Sequence, residues 1–337
     1  MGAPNLNAVR HSLRCTTVTH RHSRAVRHVP RQCQRRHQST VTESETFKLP
    51  DGRLMGFSSV GPRDGYPLFY LHGFPSSRLD IFPAHLADKH HLRIHTLERP
   101  GFGISTPQEN RTIISHARDV DAFAKGMAIP RFAVIGGSGG GPYALACAHV
   151  LGKERVARVG LFASGGPYDR SWEHIPMQSK MVHYAALWTP GVLKLAGSSM
   201  VGLARWIAQT EAGARRLDAW LAAQRENAKE EPTMSLQEER ELMVRILLEG
   251  FAQGPAATVQ EAVLLSTHWG FDLEDVAYDP ILIWHGAEDV NAPIGWIRDM
   301  ARRLKGSRLT EFEGETHFSV GRHLDQVLGE LVPQSVR

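Results

Sequence analysis

The pentapeptide from Gly136 to Gly140 reads Gly-Gly-Ser-Gly-Gly and stands between the apolar run Phe132 to Ile135 and the helix-like stretch Pro142 to Leu151. A strand, a sharp turn and a helix in that order leave little freedom to the backbone. A serine at the apex of such a turn is strained, and a side chain two positions to either side would strike the neighbouring strand or helix. Glycine is therefore required at 136 and 140. The turn lifts the Ser138 hydroxyl clear of the sheet. It also sets the amide of Gly139 in the first turn of the helix, where unpaired N–H groups and the positive dipole end favour an anion. Ser138 is the candidate nucleophile and Gly139 a candidate oxyanion donor.

A glycine-rich phosphate loop is the competing reading, since Gly139 to Ala144 also fits the permissive GxGxxA form. A dinucleotide fold would end the next strand on an acidic residue, and Val156 to Ser164 contains none. A Walker-type loop would need Gly-Lys followed by Ser or Thr, which is absent.

From Glu43 onward, apolar runs alternate with helical stretches, the pattern of an α/β protein with a mostly parallel sheet flanked by helices. Eight strands are predicted, at Thr46–Leu49, Arg53–Val60, Pro67–Leu71, Leu92–Leu97, Phe132–Ile135, Val156–Ala163, Ile281–Trp284 and Leu309–Phe312. Helices are predicted at Ile113–Met127, Pro142–Leu151 and Pro293–Leu304. Between Gly165 and Trp269 the strand signals stop, and residues rich in Ala, Leu, Arg and Glu read as several helices divided by Pro190 and Pro232. Ser235 to Glu238 has the form of a capping box. The expected organisation is an N-terminal segment 1–42, a core made of 43–164 and 270–337, and an inserted helical cap at 165–269. Such a cap would cover the carboxyl edge of the sheet, where open α/β folds bind ligands. Its aromatic residues Trp172, Tyr184, Trp188, Trp206 and Trp220 are expected either to pack within the cap at helical spacing or to line an apolar pocket.

Charge is divided unevenly along the chain. Residues 1–42 hold eight arginines and no Lys, Asp or Glu, leaving 31 basic and 35 acidic residues in the remainder. The net charge of +4 thus belongs to the N-terminus, and the rest lacks the basic excess that binding to nucleic acid phosphates needs. An Arg-, Ser- and His-bearing, acid-free segment has the composition of a mitochondrial transit peptide, with Arg35 to Thr40 as its processing region; the expected location is the mitochondrial matrix, with the cytoplasm as the alternative. No apolar run is long enough to span a membrane. Cys15, Cys33 and Cys147 form neither a CxxC pair nor a zinc-ligand cluster with histidine, so no disulfide framework or structural metal is implied.

A serine hydroxyl needs a base to take its proton, and the chain offers 18 histidines. Five lie in the N-terminal segment, and His90, His91 and His95 surround an early strand. His317 follows the last predicted strand, and Asp289 follows the strand Ile281–Trp284, so both are expected at the carboxyl edge with Ser138. Asp289 would hold the imidazole in one tautomer and stabilise its charged form. Glu288 and Asp169 are the alternatives for the carboxylate. His72 to Pro75 follows the third strand, where a second oxyanion donor belongs; the amide of Phe74 is the candidate, and His72 is expected to hold the loop by hydrogen bonds.

His-Gly-Phe-Pro at 72–75, Arg-Pro-Gly-Phe-Gly at 99–103, Gly-Gly-Ser-Gly-Gly at 136–140, His-Gly-Ala-Glu-Asp at 285–289 and Thr-His-Phe at 316–318 together resemble the α/β-hydrolase superfamily from about Phe47 to Leu331. The resemblance implies a serine hydrolase with the triad Ser138, Asp289 and His317, acting on an ester, thioester or related acyl bond of a small, apolar substrate. It calls for no cofactor and no metal. The 72–75 loop is also similar to that of epoxide hydrolases and haloalkane dehalogenases, which use an aspartate nucleophile; Ser138 in that position disfavours epoxide opening. Glu98 replaces the Asp that commonly precedes Arg-Pro-Gly in the superfamily. A cofactor-free lyase or C–C hydrolase would keep the same triad, and a ligand-binding protein on the same scaffold would keep the pocket without turnover. The substrate's identity and the oligomeric state are not readable from these motifs.

Overall fold

The structure, a computed structural model, describes residues 40–169, 172–226 and 234–332. The expected targeting segment up to residue 39, and Pro232, lie outside them.

Pro50-Asp51-Gly52 turns the chain between β1 (Thr42–Lys48) and β2 (Leu54–Val60), which pair antiparallel. β1 starts four residues before the predicted Thr46. It is an edge strand with mostly exposed, polar residues, so no apolar alternation marks its beginning. The chain continues through β3 (Tyr66–Leu71), α1 (Ala84–Lys89), β4 (Leu92–Leu97), α2 (Ile113–Gly126), β5 (Phe132–Gly137), α3 (Gly141–Arg155) and β6 (Val156–Phe162). Gly152, at φ 62°, leaves helical geometry inside α3, so the regular helix ends at Leu151 as predicted. Five helices follow among the described residues: α4 (Met177–Trp188), α5 (Pro190–Gln209), α6 (Glu211–Glu226), α7 (Leu236–Gly250) and α8 (Ala256–Ser266). The chain then returns as β7 (Ile281–Gly286), α9 (Ile294–Arg303), β8 (Arg308–Phe312) and α10 (Leu324–Leu331). Pro190 opens α5, and Ser235 caps α7 in the expected box, accepting from the Glu238 amide while the Glu238 carboxylate accepts from the Ser235 amide.

The strands form one eight-stranded sheet in the order β1-β2-β4-β3-β5-β6-β7-β8, with β2 antiparallel to its two neighbours and all other pairs parallel. This is the α/β architecture with a helical insertion that the alternation predicts. Both faces of the central strands are covered, which is why they read as unbroken apolar runs. In β5, Phe132 and Val134 pack into the core beneath α2 and α3, where Phe132 stacks on Phe69 at 4.3 Å and Phe69 meets Phe123 edge-on at 5.5 Å. Ala133 and Ile135 face the other core, with Leu68, Ile94, Trp284 and the α10 residues Val327, Leu328 and Leu331.

A buried ionic cluster ties the insertion to the sheet. Glu261 of α8 lies 2.9 Å from Arg99 Nε and 2.5 Å from an Arg111 guanidinium nitrogen, and the Tyr143 hydroxyl donates to it at 2.9 Å; both arginines and Glu261 are shut off from solvent. Burial alone would depress the Arg111 pKa, but the charge of Glu261 raises it above its usual value. Replacing only the carboxylate would leave two guanidinium groups buried without their counter-charge. Glu261→Ala is therefore expected to lose about 3–5 kcal/mol of unfolding free energy in urea titration, and a loss within about 0.5 kcal/mol, the range of an ordinary surface substitution, would contradict the role given to this cluster.

Candidate active site

The turn after β5 is as tight as its glycines imply. Ser138 sits at φ +50°, a left-handed conformation that non-glycine residues rarely adopt, and it opens a single 3-10 turn, Ser138–Gly140. A Cβ on Gly136 would lie 2.3 Å from the Gly140 carbonyl oxygen, and one on Gly140 would lie 1.9 Å from that of Leu71. Neither position admits a side chain.

Ser138, His317 and Asp289 arrive from three separate loops at the carboxyl edge. His317 follows β8, and its Nε2 stands 3.1 Å from Ser138 Oγ. Its Nδ1 stands 2.7 Å from Asp289 Oδ2, on the loop after β7. The Asp289 side chain is fully buried and well supplied with donors. Its Oδ1 accepts from the amides of Asn291 at 2.8 Å and Ala292 at 2.9 Å, and its Oδ2 lies 3.2 Å from His285 Nε2. Burial pushes the Asp289 carboxyl up, but the hydrogen bonds from His285, His317 and the Ala292 amide, with the charge of His317, hold it well below the usual carboxylate range. Of the alternative acids, Glu288 is exposed, and Asp169 pairs with Arg303 at 2.7 and 2.8 Å on the surface.

The loop after β3 runs beside Ser138. A Cβ on Gly139 would lie 2.8 Å from Phe74 Cβ and 3.4 Å from the Phe74 amide nitrogen, and one on Gly73 would lie 3.4 Å from Ser138 Cβ. Phe74 and Gly139 thus neighbour each other, and Gly73 lies against Ser138. Buried His72 bonds the Gly73 carbonyl through Nδ1 at 3.0 Å, and burial with the adjacent Arg99 charge keeps it well below the usual imidazole pKa, hence neutral.

Two residues of this site carried no separate signal in the sequence. Arg99 donates to the carbonyls of His72 at 2.5 Å and Gly73 at 2.7 Å. In a trans peptide the C=O and the following N–H point opposite ways, so a Gly73 carbonyl held by Arg99 turns the Phe74 N–H away from it. His285, fully buried, donates Nε2–H to the Ala292 carbonyl at 2.7 Å and thereby packs the Asp289 loop. Both stand inside the quoted motifs, yet nothing in their spacing distinguishes them from turn residues.

A cavity of about 180 Å³ opens over Ser138 and is walled by Phe74, Tyr168, Leu265, Trp269 and Trp296, with Ser179 of α4 at its edge. None of the five cap aromatics named from the sequence lines it. Tyr184 and Trp188 are instead exposed, so the expectation that they pack within the insertion is wrong for these two.

Residues 68–330 match the model of the alpha/beta hydrolase family. Among solved structures, the chain is similar to the esterase EaEST from Exiguobacterium antarcticum (TM-score 0.61, 17% identity, 86% of this chain and 98% of that one). It is likewise similar to an enol-lactonase from Burkholderia xenovorans (TM-score 0.58, 18% identity, 86% of this chain and 98% of that one). A proline iminopeptidase from Arabidopsis thaliana is 30% identical over 106 residues, which span 31% of this chain and 28% of that protein.

The depressed Asp289 pKa has a thermodynamic consequence. An unfolded aspartate titrates near pH 3.9. A carboxyl whose folded pKa is lower stabilises the fold above that pH and loses its contribution as pH falls toward the folded value. The stability difference between the native chain and Asp289→Asn, measured by urea unfolding, is expected to be full at pH 7 and to shrink below about pH 4; a difference that stays constant to pH 3 would contradict it.

Proposed function

Because the chain belongs to the alpha/beta hydrolase family, we propose that it is a serine hydrolase that cleaves an ester, thioester or related acyl bond of a small, apolar substrate through an acyl-Ser138 intermediate. The observation that carries this reading is the unbroken hydrogen-bonded chain from Ser138 Oγ through both nitrogens of His317 to Asp289.

Ser138 Oγ attacks the carbonyl carbon while His317 Nε2 takes its proton. The imidazolium so formed is held by Asp289, whose carboxylate keeps its charge. The carbonyl oxygen becomes an oxyanion facing the Phe74 and Gly139 amides, each such donor being worth about 3–4 kcal/mol in the transition state. His317 passes the proton to the leaving alcohol or thiol, and the C–O or C–S bond breaks. Water then loses a proton to His317, its oxygen adds to the acyl carbon, and Ser138 leaves as the proton returns to Oγ. The buried, donor-rich setting of Asp289 suits it to remain ionised throughout.

The cavity favours short acyl groups, since its roughly 180 Å³ is below the 300–1,000 Å³ common for drug-sized ligands. A fluorophosphonate probe is expected to label Ser138, and Ser138→Ala to lower kcat on p-nitrophenyl acetate at least about a thousandfold. Acetate and butyrate esters should exceed laurate in kcat/KM by about tenfold or more, because a twelve-carbon chain overfills the cavity and is seated only by displacing its walls. Full turnover by Ser138→Ala would reject the acyl-enzyme, and a folded chain that neither reacts with the probe nor turns over any ester would favour the ligand-binding alternative.

We assign residues 165–269 to a cap over this site, which the insertion of α4 to α8 between β6 and β7 and the place of Ser179, Leu265 and Trp269 in the cavity wall support. The segment before β1 is assigned to a cleaved mitochondrial targeting signal, on the eight arginines and lack of acids of residues 1–42, with the cut near Thr40 because Thr42 already pairs with Ser59 in the sheet. N-terminal mapping of the protein from cells is expected to find a start near Thr40, and an intact Met1 or Gly2 would count against cleavage.

A further inference from the structure

Helix α4 is oriented against the usual rule for an amphipathic helix. Met177, Met181, Tyr184 and Trp188 recur at i, i+4, i+7 and i+11 and so form one stripe. That stripe faces water: the four are 70%, 66%, 53% and 79% exposed. The inward face carries Ser179 at the cavity edge, His183 bonded to the Ser266 carbonyl, and buried Ala186. Helix α5, joined to α4 through Thr189 alone, repeats the arrangement. Val192, Leu195 and Leu203 lie along one side and are 57%, 70% and 55% exposed, while Gly197 and Ala204 are buried.

Scattered exposed apolar residues need no explanation, but two consecutive helices with exposed apolar stripes do. The charges in this segment indicate what covers it. From His174 to Thr210 there is no Asp or Glu, and the charged residues are Lys180, Lys194 and Arg205. Lys194 and Arg205, eleven residues apart, share one edge of α5 and are exposed. None of the three makes an ion pair with a described residue, and half-buried Lys180 sits over the Trp172 ring at 5.5 Å.

We propose that the α4–α5 face is a docking surface for an anionic lipid bilayer, with the apolar stripes entering the acyl boundary and the three cations meeting the headgroups. The composition fits a helix lying in a membrane interface, where Met, Leu and Val enter the apolar layer and Trp and Tyr rings occupy the headgroup level. A second copy of the chain fits less well. An isologous contact would set this cationic, acid-free segment against the same segment of the other copy, with no acid in it to answer Lys180, Lys194 and Arg205. Among the described residues no helix is long and apolar enough to cross a membrane, so the contact is peripheral. It would bring the lipid within one helix diameter, about 10 Å, of the cavity edge at Ser179. The inference concerns binding alone and stands whether or not Ser138 is acylated.

Flotation of the full chain with phosphatidylcholine vesicles, with and without phosphatidylserine, tests it. The native chain is expected to float with both and more with phosphatidylserine. The triple variant Met181→Ser, Trp188→Ser, Leu195→Ser should partition at least about tenfold less onto both, since it removes three side chains whose burial drives insertion. The variant Lys180→Gln, Lys194→Gln, Arg205→Gln should lose only the gain from phosphatidylserine. An unchanged thermal unfolding midpoint in both variants shows that the fold is retained. The basic N-terminal segment is common to all three chains, so equal flotation of the apolar variant and the native chain would overturn the proposal. So would a native chain that does not float but sediments as a dimer dissociated by the apolar variant, which would identify the face as a self-contact.

Discussion

The close approach of backbone to backbone at Gly140 is the constraint on which the rest of the site depends. A single added methyl there would sit far inside van der Waals contact with the Leu71 carbonyl oxygen, so the end of β3 and the turn before α3 can meet only through glycine. That contact fixes the loop after β3 against the turn after β5. It brings Phe74 and Gly139 next to each other beside Ser138. The strain at Ser138, φ +50°, is held by the same packing and exposes the hydroxyl.

Buried charge supplies the second level of order. Arg99 faces two ways: its guanidinium bonds the His72 and Gly73 carbonyls, and its Nε lies beside Glu261 of α8. One cation thus orients the peptide that presents the Phe74 amide and anchors the insertion to the sheet. A change in α8 that moved Glu261 would reach the loop after β3 through Arg99 without touching Ser138. Asp289 follows the opposite logic, being an anion satisfied by amides and imidazoles of its own neighbourhood. Its carboxylate is set by local loop geometry and needs nothing from the insertion.

Most of the sheet was legible in the sequence because strands covered on both faces are apolar throughout, and the glycines around Ser138 are legible because only one backbone geometry requires them. Chain order then sufficed to single out His317 and Asp289 among many histidines and acids, and the structure brings these two together with Ser138. What escaped has physical reasons. The start of β1 is a polar edge, and α1 and α10 are too short to show a clear helical period. Arg99 and His285 act through backbone carbonyls, and no residue pattern announces which carbonyl a side chain will find. The apolar residues of α4 mislead for a different reason: spacing reveals that they share a face but not which side of the helix the protein lies on.

That last ambiguity bears on how the site meets its substrate. In an ordinary surface helix the apolar stripe supplies the packing energy that holds it in place. Helix α4 instead rests on small and polar residues, Ser179, His183 and Ala186, and leaves its larger apolar area outside. Its inward face is held through His183, which stacks on Tyr168, meets Trp172 edge-on and bonds the Ser266 carbonyl, while its outward apolar area is left to be covered from the other side. A lipid surface offers that cover at the helix that edges the cavity. The outward apolar stripe and the cavity-lining Ser179 thus belong to opposite faces of one helix, so a surface that covers the first lies about one helix diameter, roughly 10 Å, from the second.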